Sequence, residues 1–389
     1  MSRAEQFRSQ SRALEYPLRL LATSDLHMSL MPYDYHADAP LRRPQDAPGL
    51  VEVARLLSRL RSGAKAGAER SRGQAAPEDM ATGPSLLFDC GDSLQGGPMA
   101  DFLALEGGLP AGVEHPMIAA MNHLGYDAAT LGNHDFGYGL RFLDRVLADA
   151  RFPVVLSNVH HRDAAGRAGA PVRPVRAHLS VRLAADRPPL RVGLLGLAPP
   201  QLVDWEHAHL ERRLVSRGMA DAAAEEAPRL RAEGADLVVA LVHGGIAPPG
   251  AHDSTDNAAL AVAGVPGIDV LLLGHAHEVF PAPRFAGWPG VEAEAGRLHG
   301  RPAVMPGMLG SHVGVIDLRL RHGPGGWEHR CVGVRAVPVA AQAGAGPEAS
   351  APGQAGGATA ASPCALSPWR SPGAGQLART RRAPTMRRP

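Results

Sequence analysis

The chain has 389 residues, of which 45% are hydrophobic and 20% are charged, and its formal net charge is +2. These values are typical of a globular protein with a substantial core, and so small a net charge gives no support to a nucleic-acid partner. The three cysteines, Cys90, Cys331 and Cys364, are too few and too scattered for a disulfide framework or a thiolate zinc site.

The amino-terminal residues 1–16 are polar and charged, and we interpret them as a flexible segment. They contain no apolar core of a signal peptide, so the protein as read is expected in the cytoplasm. A leader on a different amino terminus would instead make it periplasmic. Elsewhere no apolar run approaches ~18 residues, so the sequence predicts neither a membrane span nor a membrane partner.

Short apolar runs bounded by turn residues predict strands along the chain. The predicted strands cover 18–23, 85–89, 128–131, 154–159, 191–198, 236–242, 269–273 and parts of 304–320. Helical spacing of apolar residues, or a proline suited to a first helical turn, predicts helices between the strands. The predicted helices cover 50–60, 98–105, 116–124, 140–147, 219–232 and 258–263.

The segments between these elements are predicted from composition. Residues 62–84 are rich in Gly, Ala, Ser and Arg and are expected to form an exposed loop. Residues 160–189 are polar and proline-rich and are expected to form a hairpin excursion. Within 304–320, Gly307, Gly310 and Gly314 are expected at turns or bulges.

Strands that alternate with helices predict an α/β domain whose sheets are covered on their faces. Ligands in such folds bind beyond the carboxyl ends of the strands. Five of the apolar runs end there in polar residues. The five ends are Asp-Leu-His at 25–27, Gly-Asp at 91–92, Gly-Asn-His-Asp at 132–135, His at 243, and Gly-His-Ala-His at 274–277.

Seven side chains of these strand ends are candidate metal ligands: Asp25, His27, Asp92, Asn133, His243, His275 and His277. Oxygen and imidazole ligands without thiolates suit Mn, Fe, Zn or Co. Seven ligands exceed the needs of one tetrahedral ion and fit two divalent ions that share a bridging carboxylate. Such a pair activates a water and clamps the attacking and leaving oxygens, so the sequence predicts hydrolysis of a phosphate ester.

His134 follows Asn133 directly and points elsewhere if Asn133 binds metal. An imidazole beside the scissile phosphate can stabilise charge and protonate the leaving alkoxide, so we predict that His134 is catalytic. Asp135 is predicted to orient it, and Asn133 and His134 are both expected to contact the substrate. Read singly, each histidine fits a structural role better than a functional one, and the functional interpretation depends on the ordered set. Histidines outside these motifs, among them His115, are expected at the surface or behind the ligands.

Further motifs resemble the calcineurin-like metallophosphoesterases, and more narrowly their 5′-nucleotidase branch with its bifunctional 2′,3′-cyclic-nucleotide 2′-phosphodiesterase/3′-nucleotidases. The stretches that carry the resemblance are 23–27 with 33–35, 91–98, 132–139, 199–201 with Trp205, 274–281, and 302–308 with 310–314. The resemblance extends over residues 18–337 and therefore covers most of the chain.

The resemblance implies a four-layer α/β/β/α sandwich that forms a catalytic domain at 17–337. It also implies two divalent metal ions, with Asp92 as the bridge, and His134 as the catalytic histidine. The implied ligand sets are Asp25, His27, Asp92 and His277 for one ion and Asp92, Asn133, His243 and His275 for the other. The implied partner is a small nucleotide or another phosphate ester.

Two features of this chain depart from the family pattern. Many 5′-nucleotidases carry an Asp three residues after the catalytic histidine to orient it, and this chain has Gly137 there. The carboxy-terminal nucleotide-binding domain of the family also has no counterpart. Residues 338–389 are rich in Ala, Gly, Pro and Arg, and we expect them to be disordered. Such a tail is either genuine or the product of a frameshift or truncation near 338–345.

The predicted function is therefore that of a 2′,3′-cyclic-nucleotide phosphodiesterase/3′-nucleotidase. A 5′-nucleotidase or a general phosphomonoesterase is the alternative among enzymes. A truncated product that binds metal but has little activity is the alternative from a different class. Nucleic-acid binding through the six arginines of the tail is not expected, because they are spread among prolines and glycines.

Overall fold

The computed structural model describes residues 14–41, 47–62, 83–250 and 256–339. Most of the predicted amino-terminal segment, of the predicted loop at 62–84 and of the predicted tail therefore lies outside the described residues. Along the described ranges, no helix combines the length and the apolar character that crossing a membrane requires.

Strands and helices alternate through most of the described chain. The strands are β1 Tyr16–Thr23, β2 Tyr33–Asp34, β3 Ala39–Pro40, β4 Ser85–Asp89, β5 Ala128–Ala129, β6 Val159–Arg162, β7 Ala168–Pro171, β8 Arg176–Val181, β9 Leu190–Leu197, β10 Leu214–Ser216, β11 Leu237–Val242, β12 Val270–Leu273, β13 Val279–Phe280, β14 Val291–Glu292, β15 Arg297–Leu298, β16 Arg301–Pro306, β17 His312–Gly323 and β18 Gly326–Pro338. The helices are α1 Gly49–Ser62, α2 Gly97–Leu105, α3 Pro116–Leu124, α4 Leu140–Leu147, α5 Leu202–Trp205, α6 His207–Leu210, α7 Met219–Ala232 and α8 Ala259–Gly264. Two 3₁₀ turns cover His134–Phe136 and Pro283–Phe285.

Two large sheets organise these elements. The first has the order β18-β17-β1-β4-β5, in which β1, β4 and β5 run parallel and β17 pairs antiparallel with β1. The second has the order β14-β15-β16-β12-β11-β9-β8, with β13 beside β16, and its central strands β9, β11, β12 and β16 run parallel. Strands β6, β7 and β10 form a small separate sheet.

Both faces of each large sheet are covered. In β11, Leu237, Val239 and Leu241 point into the core between the two sheets, whereas the alternate residues Val238 and Ala240 pack under α7 and α8. The first sheet is arranged likewise, with α1 to α4 on its outer face. A strand buried on both faces needs an unbroken apolar sequence, which explains why these runs do not alternate with polar residues. The predicted four-layer α/β/β/α sandwich is confirmed.

The predicted strand at 154–159 is wrong. Only Val154 forms a bridge there, with Ala129, and the strand β6 begins where the prediction ends, at Val159. The intervening backbone donates to both sides, from Leu156 to the carbonyl of Pro174 and from Ser157 to that of Gly196. The run is apolar because it crosses the core as a buried connection, and an apolar run alone does not distinguish a connection from a strand.

The last two strands extend the first sheet beyond the prediction. Strand β18 was not predicted, and it pairs with β17 along almost its whole length. Gly314 stands in regular register opposite Ala22, and the irregularity in β17 falls instead between Asp317 and Leu318. Val339 is buried, and its N–H donates to Ser311, so the fold runs two residues past the predicted end at 337.

His115 was expected at the surface or behind the ligands, and it is buried at the start of α3 with 1% of its surface exposed. Its ring lies edge-on to that of Phe142, with the centroids 6.0 Å apart. Neither ring nitrogen has a hydrogen-bond partner within the described ranges. Burial without a partner disfavours the charged imidazole and lowers the pKa of His115 to about 4.

His115 should therefore make the protein less stable as the pH falls. The unfolded chain takes up a proton near pH 6.5, whereas the folded chain does so only near pH 4, so folding stability is lost between these values. The loss should reach about 3 kcal/mol at pH 4, since one pKa unit corresponds to ~1.4 kcal/mol. The variant His115→Leu should lack this loss, which denaturant titrations of both proteins at pH 7.5 and 4.5 would reveal. Parallel losses of stability in the two proteins would contradict the prediction.

Candidate metal centre

The candidate ligands lie in the loops that follow parallel strands. Loops after β1, β4 and β5 of the first sheet carry Asp25, His27, Asp92 and Asn133, and those after β11 and β12 of the second carry His243, His275 and His277. The two sets meet, because the backbone N–H of His275 donates to Asp25 Oδ2 at 3.0 Å. The site therefore spans the seam between the two sheets.

One group of ligands consists of Asp25, His27 and His277, whose ligand atoms all lie within 4.8 Å of one another. The Nε2 atoms of His27 and His277 are 3.0 Å apart, and Nε2 of His277 is 3.4 Å from Asp25 Oδ1. Asp25 is fully buried, and Ser24 Oγ donates to its second oxygen. His277 is the most exposed member, so the group opens to solvent on its side.

The second group consists of Asp92, His243 and His275, which meet the same distance criterion. His243 Nε2 lies 3.0 Å from Asp92 Oδ2, and the rings of His243 and His275 are 5.1 Å apart. Asn133 follows β5 and has 5% of its surface exposed. Its Oδ1 is buried and accepts no hydrogen bond from any described residue, which leaves this oxygen available to a cation.

Three of the histidines have one ring nitrogen occupied by a fixed acceptor. Nδ1 of His27 donates to the carbonyl of Gln95 at 2.9 Å, and Nδ1 of His243 donates to that of Cys90 at 2.7 Å. His275 is held the other way round, because its Nε2 lies 2.9 Å from Asp256 Oδ2. A hydrogen bond of this kind selects the tautomer whose other nitrogen carries the lone pair that binds metal.

The charges of the buried carboxylates also favour cations. Burial raises the pKa of Asp92, but the imidazoles of His243, His134 and His27 outweigh burial and hold that pKa well below its usual range. Burial lowers the pKa of His243, but the carboxylates of Asp92 and Asp25 outweigh it and raise that pKa to about 10. Asp92 is therefore ionised although only 1% of its surface is exposed, so its charge requires a cationic partner, either a protonated imidazole or a metal ion. Together with the free Asn133 oxygen, this donor set fits divalent metal ions.

The backbone at the site adopts conformations that side chains disfavour. Five of the seven candidate ligands have a left-handed backbone, with φ between 46° and 70°: Asp25, His27, Asp92, His275 and His277. Each such residue costs ~1–3 kcal/mol, and residues of this kind concentrate at functional sites. Gly132 allows the loop after β5 to pack closely against Asp92 and His243. A Cβ at this position would lie 2.1 Å from Asp92 Oδ1 and 2.5 Å from His243 Nε2.

His134 stands beside the first group without belonging to it. Its ring centroid is 5.3 Å from that of His27, and its backbone N–H donates to Asp92 Oδ1 at 2.8 Å. Its Nδ1 lies 2.8 Å from Oε1 of Gln95. The structure thus brings His134 to the edge of the candidate metal centre and leaves its Nε2 without an assigned partner in the part of the chain that it describes.

Asp135 was expected to orient His134, and the structure places its carboxylate elsewhere. One of its oxygens accepts from the backbone N–H groups of Ser93 and Leu94, and the other accepts from those of Asp92 and Gly132, at 2.8–2.9 Å. The buried carboxylate therefore fixes the loop that carries Asp92 to the loop that carries Asn133. The neighbour of the His134 ring is Gln95 instead.

Sequence reasoning missed three residues that touch the candidate ligands. Gln95 contacts His27 and His134, and Asp256 contacts His275. Trp205 stacks on the His275 ring with centroids 5.7 Å apart and is 45% exposed. Gly137 was a usable signal for Gln95, since a glycine where an orienting carboxylate was expected implies a partner from another loop. Asp256 carries no local pattern that marks it, and Trp205 was noted only as part of a motif that carries the resemblance, without a role at the site.

Comparison with known proteins identifies relatives of this site and fold. A family model described as calcineurin-like phosphoesterase matches residues 18–279. A solved structure, the calcineurin-like phosphoesterase YfkN from Bacillus subtilis, is 32% identical and superposes with a TM-score of 0.70. That superposition covers 84% of this chain and 92% of the solved chain.

Curated relatives share the same region. The 2′,3′-cyclic-nucleotide 2′-phosphodiesterase/3′-nucleotidase of Yersinia enterocolitica is 36% identical over 331 residues, which are 85% of this chain and 47% of that protein. The protein of the same description from Salmonella typhimurium is 34% identical, over 83% of this chain and 46% of its own length. The chain thus spans about half the length of these curated relatives.

The variant Asp135→Asn should lose stability rather than catalytic chemistry. An amide in place of the carboxylate turns an NH₂ group toward two of the four backbone donors, which then lack an acceptor. Each buried unsatisfied donor costs ~1–3 kcal/mol, so we expect the two together to lower the free energy of unfolding by about 2–6 kcal/mol. The measurement is chemical denaturation of both proteins under identical conditions. Unchanged stability would show that Asp135 does not hold the two loops together.

Proposed function

The chain belongs to the calcineurin-like phosphoesterase family, and from that premise we propose that it is a metal-dependent hydrolase of phosphate esters. We propose 2′,3′-cyclic nucleotides and 3′-nucleotides as its small-molecule substrates, because the curated relatives with that description match most of the chain. We assign the activity to residues 17–337 as a catalytic domain.

One observation carries the proposal: six donors from two sheets form two compact groups, and the buried amide oxygen of the nearby Asn133 has no partner within the described ranges. We propose two divalent ions, of Mn, Zn, Co or Fe, with Asp25, His27 and His277 on one and Asn133, His243 and His275 on the other. Asp92 is the proposed bridge. Bound ions of this kind supply an activated water and neutralise charge on the phosphate.

The side chains around the ions have separate roles in this proposal. Asn133 and His134 contact the substrate phosphate. Because Nδ1 of His134 is occupied by Gln95, its Nε2 is the atom that transfers a proton to the leaving alkoxide. Asp256 and Trp205 keep the ring of His275 in place from two sides. The half-exposed Trp205 also forms part of the rim through which substrate enters.

The proposal is tested by turnover of the full chain with 2′,3′-cyclic AMP, 3′-AMP and 5′-AMP, each with Mn, Co, Zn and Mg. We expect metal-dependent hydrolysis that is fastest with the cyclic nucleotide and 3′-AMP and is abolished by a chelator. Preference for 5′-AMP would favour a 5′-nucleotidase instead. Metal-loaded protein without turnover of any of the three would overturn the proposed function.

Two variants test the arrangement of the ions in the same experiment. Asp92→Asn should lose both ions together, because a bridging carboxylate serves both. His277→Ala should mainly weaken one site, because His277 belongs to one group and lies at its solvent-exposed side. Elemental analysis of the loaded proteins distinguishes the two patterns. Equal metal content in both variants would contradict the assignment of Asp92 as the bridge.

The variant His134→Ala should keep its metal and its fold but lose kcat. General acid catalysis contributes typically ~10²–10⁴-fold, so we expect a loss of that size with nucleotide and alkyl esters. The loss should be smaller with p-nitrophenyl phosphate, whose leaving group departs without a proton. Steady-state kinetics with both ester types make this comparison. An equal loss with both would argue against a proton donor, and loss of metal would make His134 a ligand.

A further inference from the structure

Gln95 is the residue through which the His134 ring is fixed. Its side-chain oxygen lies 2.8 Å from Nδ1 of His134, and its backbone carbonyl accepts from Nδ1 of His27 at 2.9 Å. It stands in the loop between β4 and α2, three residues after Asp92. A single residue thus contacts a candidate ligand through its backbone and the candidate proton donor through its side chain.

Gly137 leaves the space that the Gln95 amide occupies. A Cβ at position 137 would lie 2.3 Å from both terminal atoms of that amide and 2.5 Å from its Cδ. The backbone of Gly137 has φ of −62°, which any residue adopts, so its own conformation does not require glycine. The amide in its present position does require glycine, because a larger residue would displace the end of the Gln95 side chain.

We propose that Gln95 is the positioning residue of His134 and that Gly137 is small in order to admit its side chain. The inference rests on the proposed function and goes beyond it. By accepting from Nδ1–H, the amide oxygen directs Nε2–H toward the leaving oxygen.

A packing role for Gln95 makes different predictions from a hydrogen-bonding role. Gln95→Glu keeps an acceptor for Nδ1–H at the same length, whereas Gln95→Met keeps the length and removes the acceptor. We expect Gln95→Met to lower kcat for an alkyl phosphate on the order of 10- to 100-fold, part of the general-acid contribution. Gln95→Glu should stay within about fivefold of the original chain, since it retains the bond that orients the ring.

Gly137→Ala should reproduce the effect of Gln95→Met, because the added methyl displaces the same amide. The matched control is Gly264→Ala, at a glycine where nothing lies within 4 Å of the added Cβ. The double variant Gln95→Met/Gly137→Ala should be no worse than either single variant, since residues that act through one contact are not additive. Additive losses would overturn the pairing of the two positions.

Two readouts separate positioning from general damage. With p-nitrophenyl phosphate, Gln95→Met should lose only a few-fold, and its metal content and KM should match those of the original chain. Equal losses with both ester types would assign Gln95 to packing and overturn the inference.

The second readout does not depend on turnover. In zinc-loaded full chain labelled with ¹⁵N-histidine, Nδ1 of His134 should carry a proton. Gln95→Met should shift its resonance toward that of a ring without this hydrogen bond, whereas Gln95→Glu should keep a hydrogen-bonded Nδ1–H. If the original chain proved inactive but these shifts appeared, the proposed function would fail and the positioning role would stand. Unchanged Nδ1 resonances in Gln95→Met would overturn the positioning role itself.

Discussion

Two buried carboxylates, those of Asp25 and Asp92, determine how the surrounding loops are arranged. An ionised carboxylate in the interior is costly unless opposite charge and hydrogen-bond donors surround it. Here the donors are backbone N–H groups of His275 and His134, and the opposite charge comes from imidazoles and from the cations that the site fits. The loops that carry these groups contain residues with left-handed backbone conformations. Backbone strain is therefore concentrated around the two buried carboxylates.

The buried elements were predictable because their sequences leave few alternatives. The bounds of α3, α4 and α7 agree with the prediction to the residue, since a proline opens α3 and amphipathic spacing defines the other two. Strand β18 was not predictable in the same way. It mixes glycine, charged and apolar residues without a regular alternation, and it becomes a strand because it pairs with the free edge of β17. The prediction of a strand at 154–159 was wrong for a different reason. This connection is buried, so its sequence is as apolar as that of a strand.

In the candidate site, too, some residues could be predicted from the sequence and others could not. The structure brings six of the seven candidate ligands into two groups, and they were recognisable because each follows the end of an apolar run. The groups that orient them were not recognisable. Two are backbone carbonyls, of Cys90 and Gln95, which have no signature in a sequence, and the third is the carboxylate of Asp256, which lies in no motif. Asp135 shows that being adjacent in sequence does not predict which group a side chain contacts. It is next to His134 in sequence, yet tertiary contacts direct its carboxylate to four amides of two loops.

The pairing of β1 has a consequence for how the protein is made. Strand β1 takes its place between β4 and β17, so its hydrogen bonds on one side await residues near 320. His27 and His277 likewise stand 250 positions apart along the chain although their nitrogens are 3.0 Å apart. Contacts of such long range form late and slowly. During synthesis on the ribosome, β1 must therefore wait with one edge unpaired until the residues of β17, from His312 onward, have been made.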